Sequence, residues 1–123
     1  MARPALTGRR VLIVEDQAIL AFEVQALLQQ LGCEVIGPVG TLEQALDAAR
    51  TEQLDGAILD VNLDGEPAYL VADILLARQV PVLFATGYGI ESLPDRFLDC
   101  PILEKPFIFE DLKRLATRLW ATA

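Results

Sequence analysis

Polar side chains follow four of the apolar segments of this sequence, at positions where the packing of a buried strand does not require a polar group. Glu15 and Asp16 follow VLIV, Asp60 follows GAIL, Thr86 follows VLFA and Lys105 follows PILE. A carboxylate beside a lysine and a hydroxyl is equipped for phosphoryl transfer, with a nucleophile, a neutralising charge and contacts to oxygen atoms. The chemistry alone leaves open whether Asp16 or Asp60 is the nucleophile.

The elements that must position these residues alternate along the chain. Apolar, β-rich segments (RVLIVED, CEVIGPV, DGAILDV, VPVLFAT and CPILE) are separated by stretches of helical periodicity. This pattern predicts an α/β fold, a flavodoxin-like doubly wound parallel sheet of five strands in the order 2-1-3-4-5, with helices on both faces. Pro94 interrupts residues 89–100, so we expect the fourth helix to be short or mobile.

The helices carry recognisable start signals. Leucine and valine recur at helical spacing over residues 20–31, and Thr41 with Gln44 forms a capping box that predicts a second helix. Pro67 suits the first turn of a third helix, and apolar spacing over residues 108–119 predicts the last one.

In this strand order the first and third strands are neighbours, which brings three carboxylates to one cleft. Glu15, Asp16 and Asp60 would repel one another and raise one another's pKa unless a cation lies among them. Mg²⁺ takes oxygen ligands, keeps several waters and binds through one or two carboxylates. The sequence therefore predicts Mg²⁺ as the cofactor.

Length and composition limit the possible functions. The chain has 123 residues and a mean hydropathy of +0.37, and we divide it into an N-terminal tail, residues 1–8, and one domain, residues 9–121. It has no apolar segment long enough for a membrane span and no signal peptide, so we expect it in the cytoplasm. A net charge of -8 argues against direct binding of nucleic acid, and two cysteines without any histidine argue against zinc.

Four motifs, VLIVED, ILDVNL, FATGY and LEKPF, together resemble the receiver domain of two-component response regulators, over about residues 9–120. The resemblance implies that Asp60 is the phosphoacceptor. It also implies that Asp16, Asp60 and the backbone carbonyl of Asn62 ligate Mg²⁺, with Glu15 acting through water.

The resemblance implies a switch as well. Thr86 would bind one phosphoryl oxygen and Lys105 would pair with another, while Gly87 leaves room at the acyl phosphate. Ordinary receivers carry Phe or Tyr where this chain has Ile102, so Tyr88 is the aromatic residue placed to take a comparable switching role.

The FATGY motif is similar to that of the FATGUY subgroup of receivers, which often stand alone or work with kinases of the HWE type. The implied partners are a histidine kinase or phosphotransfer protein and a downstream protein, since the chain ends after the last helix. The implied protein is a regulatory phosphoacceptor rather than an enzyme, a monomer or weak homodimer, with a Lys105–Pro106 bond that is cis in the family.

Two other functions remain open. A small Mg²⁺-dependent phosphatase of the aspartyl-phosphate type uses a similar set of residues, but it places D-x-D after its first strand, where this chain has EDQ. The second is a binding module that keeps the same fold and works without being phosphorylated.

Overall fold

A five-stranded parallel sheet forms the centre of the computed structural model, which describes residues 4–63, 65–87 and 93–121. Its strands are β1 (Arg10–Val14), β2 (Glu34–Val39), β3 (Gly56–Asp60), β6 (Val82–Thr86) and β7 (Ile102–Glu104), and a separate hairpin consists of β4 (Asn62–Leu63) and β5 (Glu66–Pro67). The order β2-β1-β3-β6-β7 is the predicted 2-1-3-4-5 order of a doubly wound sheet, so that prediction is confirmed.

Helices cover both faces of the sheet, as predicted. They are α1 (Ala18–Gln30), α2 (Leu42–Thr51), α3 (Tyr69–Ala77) and α4 (Phe109–Trp120). Successive strand residues alternate between two cores, as the period of a β-strand requires: Leu12 and Leu59 lie in the core beneath α2 and α3, whereas Val11 and Ile58 lie in the core beneath α1 and α4. Strands buried on both faces explain why their sequences are almost continuously apolar.

The second helix begins where the capping box predicts. The Thr41 hydroxyl accepts a hydrogen bond from the Gln44 backbone N–H at 3.2 Å, and the Gln44 side chain accepts one from Gly40 N–H at 3.3 Å. The first of these bonds satisfies a backbone donor that the first helical turn leaves without a partner, and the second fixes the residue before the N-cap.

The prediction for Pro67 is wrong. This residue lies in β5, opposite Asn62, and α3 begins two residues later at Tyr69. The chain turns back at Gly65, which has a φ of 88°, a conformation that glycine adopts at little cost. The segment after β3 therefore forms a hairpin before it becomes a helix.

In the region of the predicted fourth helix, the described residues contain one 3-10 turn, Asp95–Phe97, which follows Pro94. Tyr88 lies outside the described residues.

At the other end of the chain Leu6 is fully buried, and its N–H donates to Leu31 O at 2.9 Å. The packed core therefore includes Leu6, which the sequence analysis assigned to the N-terminal tail. Within the described ranges, no helix is long and apolar enough to cross a membrane.

Candidate functional site

Three carboxylates meet at the carboxyl end of the sheet. Glu15 and Asp16 follow β1, and Asp60 ends the neighbouring strand β3, where Val14 pairs with Leu59. One carboxylate oxygen from each of the three residues lies within 4.8 Å of the other two. Glu15 and Asp60 are each only 7% exposed, whereas Asp16 is open to solvent. The three carboxylates therefore lie close together, as the sequence predicts.

Lys105 supplies the positive charge of this cluster. Its ammonium Nζ lies 2.7 Å from Glu15 Oε1 and 3.1 Å from Asp60 Oδ2. Its backbone N–H donates to Thr86 O at 2.8 Å, which fixes the chain beyond β7 against the end of β6. The Lys105–Pro106 bond is cis, as the resemblance implies.

The cluster shifts the ionisation of two of its members. Burial raises the pKa of Glu15, and the charge of Asp60 adds to this effect, although hydrogen bonds from Lys105 and from Gln17 N–H work against it. Burial by itself disfavours the Lys105 ammonium, but the hydrogen bonds and charges of Glu15 and Asp60 outweigh it, so the pKa of Lys105 is raised. The lysine is therefore charged at neutral pH.

The hairpin holds Asp60 from its other side. Asn62 N–H donates to Asp60 Oδ1 at 3.1 Å. Pro67 lies directly opposite Asn62 and has no N–H, so this partner residue cannot donate to the Asn62 carbonyl. The carbonyl is thus compatible with the ligand role that the family resemblance implies.

Strand β6 closes the remaining side of the site. Thr86 is fully buried at its end, one residue beyond Ala85, which pairs with Asp60. Gly87 is the next residue, and a Cβ added there would meet no atom of the described residues within 4 Å. Ile102 is partly buried, pairs with Phe84 and packs against the core beneath α2 and α3.

A cleft of about 280 Å³ opens above Asp60. It is lined by Asp16, Gln17, Asp60, Asn62, Gly65, Gly87 and Lys105. Sequence reasoning missed Gln17 and Gly65. The Asp-Gly dipeptide at residues 64–65 is a recognised hairpin signal and predicts the turn that places Gly65 here.

The donor set fits a hard divalent cation. Three carboxylates and one ammonium leave two formal negative charges in a partly buried cluster, and oxygen is the ligand atom that such cations prefer. A divalent cation would balance the charge that Lys105 leaves uncompensated.

The model of the response regulator receiver domain family matches residues 11–117. The chain belongs to this family and is a receiver domain of the kind that acts in two-component signalling.

Individual relatives agree with this assignment. The solution structure of SdrG from Sphingomonas melonis Fr1 is 40% identical, with a TM-score of 0.78 over 95% of this chain and 98% of SdrG. The receiver domain of the sensor histidine kinase PA1611 from Pseudomonas aeruginosa PAO1, which has a magnesium ion coordinated in its active-site cleft, is 26% identical, with a TM-score of 0.75 over 95% of this chain and all of that domain.

Among curated proteins, the transcriptional regulatory protein PdtaR of Mycobacterium tuberculosis is 32% identical over 114 residues, or 88% of this chain. The chain spans about half of that relative's length, 55%.

Proposed function

We propose that this receiver domain is a phosphoacceptor switch and that Asp60 receives the phosphoryl group. The observation that carries the proposal is the position of its carboxylate, which forms the base of an open cleft and is held by Asn62 N–H on one oxygen and by Lys105 on the other. Asp60 ends the strand between β1 and β6, so it has carboxylates on one side and Thr86 on the other. Asp16 is exposed at the rim, which suits a ligand better than a nucleophile.

The cofactor of the proposed reaction is Mg²⁺, held by Asp16, Asp60 and the Asn62 carbonyl, with Glu15 acting through water. Mg²⁺ neutralises charge on the transferring phosphoryl oxygens when it is bound. The charge of the cluster and the magnesium-containing cleft of the related PA1611 receiver support this choice. Lys105, already 3.1 Å from Asp60, pairs with a phosphoryl oxygen.

The donor is a phosphohistidine on a histidine kinase, of the HWE type by the FATGY resemblance, or on a phosphotransfer protein. Its P–N bond breaks with the electron pair remaining on the imidazole, and a P–O bond forms to Asp60. An apolar groove beside the cleft suits such a protein. Ile19, Leu20 and Phe107 line it, and it shares Gln17, Gly87 and Lys105 with the cleft.

The phosphoryl group changes the domain through Thr86 and Lys105, whose backbones are already hydrogen-bonded to each other. Thr86 binds a phosphoryl oxygen, and the chain at Gly87 moves with it; this residue lines the cleft, and a Cβ added there would meet no atom of the described residues within 4 Å. The change in populated conformation is then read by a downstream protein in the cytoplasm, with the receiver acting as a monomer or weak homodimer.

The test is phosphoryl labelling of the wild type and of Asp60→Asn, by a phosphorylated kinase and by a small acyl phosphate, with Mg²⁺ present. We expect the wild type to take up acid-labile label from both donors and the variant to take up none. Label retained by the variant at the same stoichiometry would place the acceptor elsewhere, and sustained hydrolysis of a phosphomonoester would favour the phosphatase.

The variant Ile19→Asp is a matched control for the donor surface. Ile19 is 78% exposed in the groove and does not line the cleft. We expect this variant to slow labelling by the kinase and to leave labelling by the acyl phosphate unchanged. Equal slowing with both donors would show that the groove is not where the kinase docks.

A further inference from the structure

A short turn between β6 and β7 is attached to the rest of the domain by its side chains. Residues 94–100 contain the 3-10 turn Asp95–Phe97. Within the described chain, their backbone hydrogen bonds join only one another: Phe97 N–H donates to Pro94 O at 3.0 Å, for example, and Cys100 N–H donates to Phe97 O at 2.9 Å. Segments of this kind open at a lower cost in free energy than core strands do. The turn can therefore change position without breaking a backbone hydrogen bond of the sheet.

Phe97 attaches this turn to the core. It is only 1% exposed, and its ring centroid lies 5.3 Å from that of Phe84, in an edge-on contact, and 5.9 Å from that of Tyr69. Phe84 lies two residues before Thr86 on β6, and Tyr69 begins α3, directly after the hairpin that holds Asp60. Phe97 thus contacts one element from each side of the phosphoacceptor. Because protein interiors are close-packed, a shift of one element against the other changes the space that the Phe97 ring occupies.

An ion pair on the surface holds the same turn to α3. The Arg96 guanidinium binds the Asp73 carboxylate through two bonds, Nε to Oδ1 at 3.0 Å and Nη2 to Oδ2 at 3.1 Å. The guanidinium also lies over the Phe97 ring, 4.5 Å from its centroid. The paired geometry favours this contact, but both side chains are partly exposed, so solvent keeps it weak enough for the binding of a ligand to overcome it.

We propose that the Arg96–Asp73 ion pair is a latch that keeps the turn on α3 in the unphosphorylated domain, and that the turn leaves this position when Asp60 is phosphorylated. The inference rests on the proposed function, since phosphorylation is what opens the latch. As the Thr86 hydroxyl moves to the phosphoryl oxygen, the end of β6 shifts against the start of α3, and the Phe97 ring loses its place between them.

The latch has a measurable effect on the phosphoacceptor site, because coupling between two sites is reciprocal. A contact that exists only in the closed state lowers the apparent affinity of any ligand that requires the open state. For an exposed ion pair we expect a factor of about threefold. Beryllofluoride imitates the bound phosphoryl group, so its affinity in the presence of Mg²⁺ reports this factor.

The experiment measures the beryllofluoride affinity of the wild type, Asp73→Asn, Arg96→Gln and the double variant at saturating Mg²⁺. Each single variant should bind about threefold more tightly than the wild type. The double variant should bind no more tightly than either single variant, because all three lack the same contact. The two single variants change the net charge in opposite directions, so a long-range effect of charge would move their affinities apart.

The matched control is Arg114→Gln. It removes another exposed ion pair, the one that Arg114 forms with Asp111 at 3.6 Å within α4. We expect its beryllofluoride affinity to equal that of the wild type, because this pair joins residues of a single helix and does not involve the turn.

A second measurement follows the turn itself in the wild type. Nuclear Overhauser contacts between the ring protons of Phe97 and Tyr69 should be present without ligand, since the rings are neighbours in the structure. They should disappear when Mg²⁺ and beryllofluoride are bound, because the turn then leaves α3.

Wild-type or weaker affinity in either single variant would overturn the inference, because the ion pair would then not oppose the bound state. Ring contacts that persist with beryllofluoride bound would overturn it too, since the turn would have stayed on α3. If the wild type binds no beryllofluoride and takes up no label, the proposed function itself fails, which is a distinct result.

Discussion

The two ends of the central sheet differ in how their charged groups are paired and how tightly they are packed. At the amino end, polar groups are paired and aromatic packing closes the core. At the carboxyl end, three carboxylates share one ammonium around an open cleft. The same five strands contribute residues to both ends, so the difference lies in the segments before and after each strand rather than in the sheet.

Arg10 organises the amino end. Its guanidinium lies 2.7 Å from a Glu34 carboxylate oxygen and 3.2 Å from one of Glu52, and it donates to Gln53 O at 2.7 Å. Its backbone N–H donates to the Asp55 carboxylate at 2.9 Å. These contacts tie the start of β1 to the chain around it.

Trp120 closes the core at the same end. Its ring lies so close to Gly56 that an added Cβ would be 2.4 Å from Nε1, and the Nε1–H donates to Pro81 O at 3.1 Å. The amino end therefore has no space for a larger side chain at Gly56 unless Trp120 shifts. The carboxyl end, by contrast, keeps like charges together in a partly buried cluster, where burial, with a smaller contribution from the charge of Asp60, raises the pKa of Glu15.

The largest contrast should come from two glycine substitutions. Gly56→Ala places a methyl group against the Trp120 ring and should cost about 3 kcal/mol of unfolding free energy, as overpacking does in a tight core. Gly87→Ala meets open space and should change stability by less than about 0.5 kcal/mol. Denaturant unfolding of both variants measures the difference. Equal losses would mean that the two ends are equally packed.

A smaller contrast should come from the two cationic side chains. Lys105→Met leaves buried carboxylates uncompensated and should cost about 2 kcal/mol without Mg²⁺, less than a fully buried pair because Lys105 is partly exposed. Arg10→Met removes ion pairs that are largely solvated and should cost about 1 kcal/mol.

Added Mg²⁺ distinguishes these two variants further. It should stabilise both variants, because both keep the carboxylates, but it should stabilise Lys105→Met more, because there it also replaces the missing positive charge. Thermal unfolding with and without Mg²⁺ measures this. An equal response of both variants would mean that the cation does not compensate for the missing ammonium, and no response of either would argue against a cation at the carboxylates.

The smallest expected effect concerns Cys33, which lies between α1 and β2. Burial raises the pKa of this thiol to about 11. The unfolded chain loses the proton at lower pH than the folded one, so the contribution is present below pH 9 and is lost as pH rises toward 11. By pH 10 the loss should be about 1 kcal/mol.

Unfolding free energies of the wild type and Cys33→Ala, measured at pH 8 and pH 10, isolate the contribution of the thiol to stability. The wild type should lose more stability between the two pH values than the variant does. The same loss in both would mean that the thiol ionises as easily in the fold as in the unfolded chain.

The parts of the molecule that sequence analysis predicted correctly are those with local signals. The parallel sheet with helices on both faces followed from alternating apolar and helical segments, and the capping box at Thr41 marked the start of α2. Pro67 was misplaced because a proline fits a first helical turn and an edge strand equally well, and only pairing with Asn62 decides between them. Leu6 was assigned to a tail because its burial depends on Leu31, distant in sequence.

The sequence by itself determined which residue types stand at the end of each strand, and through their order it determined that Glu15, Asp16, Asp60 and Lys105 would meet. Parallel strands make this possible, because their carboxyl ends lie on one edge of the sheet. Only the tertiary structure decided the distances that set the charge balance and the hairpin that carries Asn62. Those properties depend on packing between segments that are far apart in the chain, which local sequence patterns do not encode.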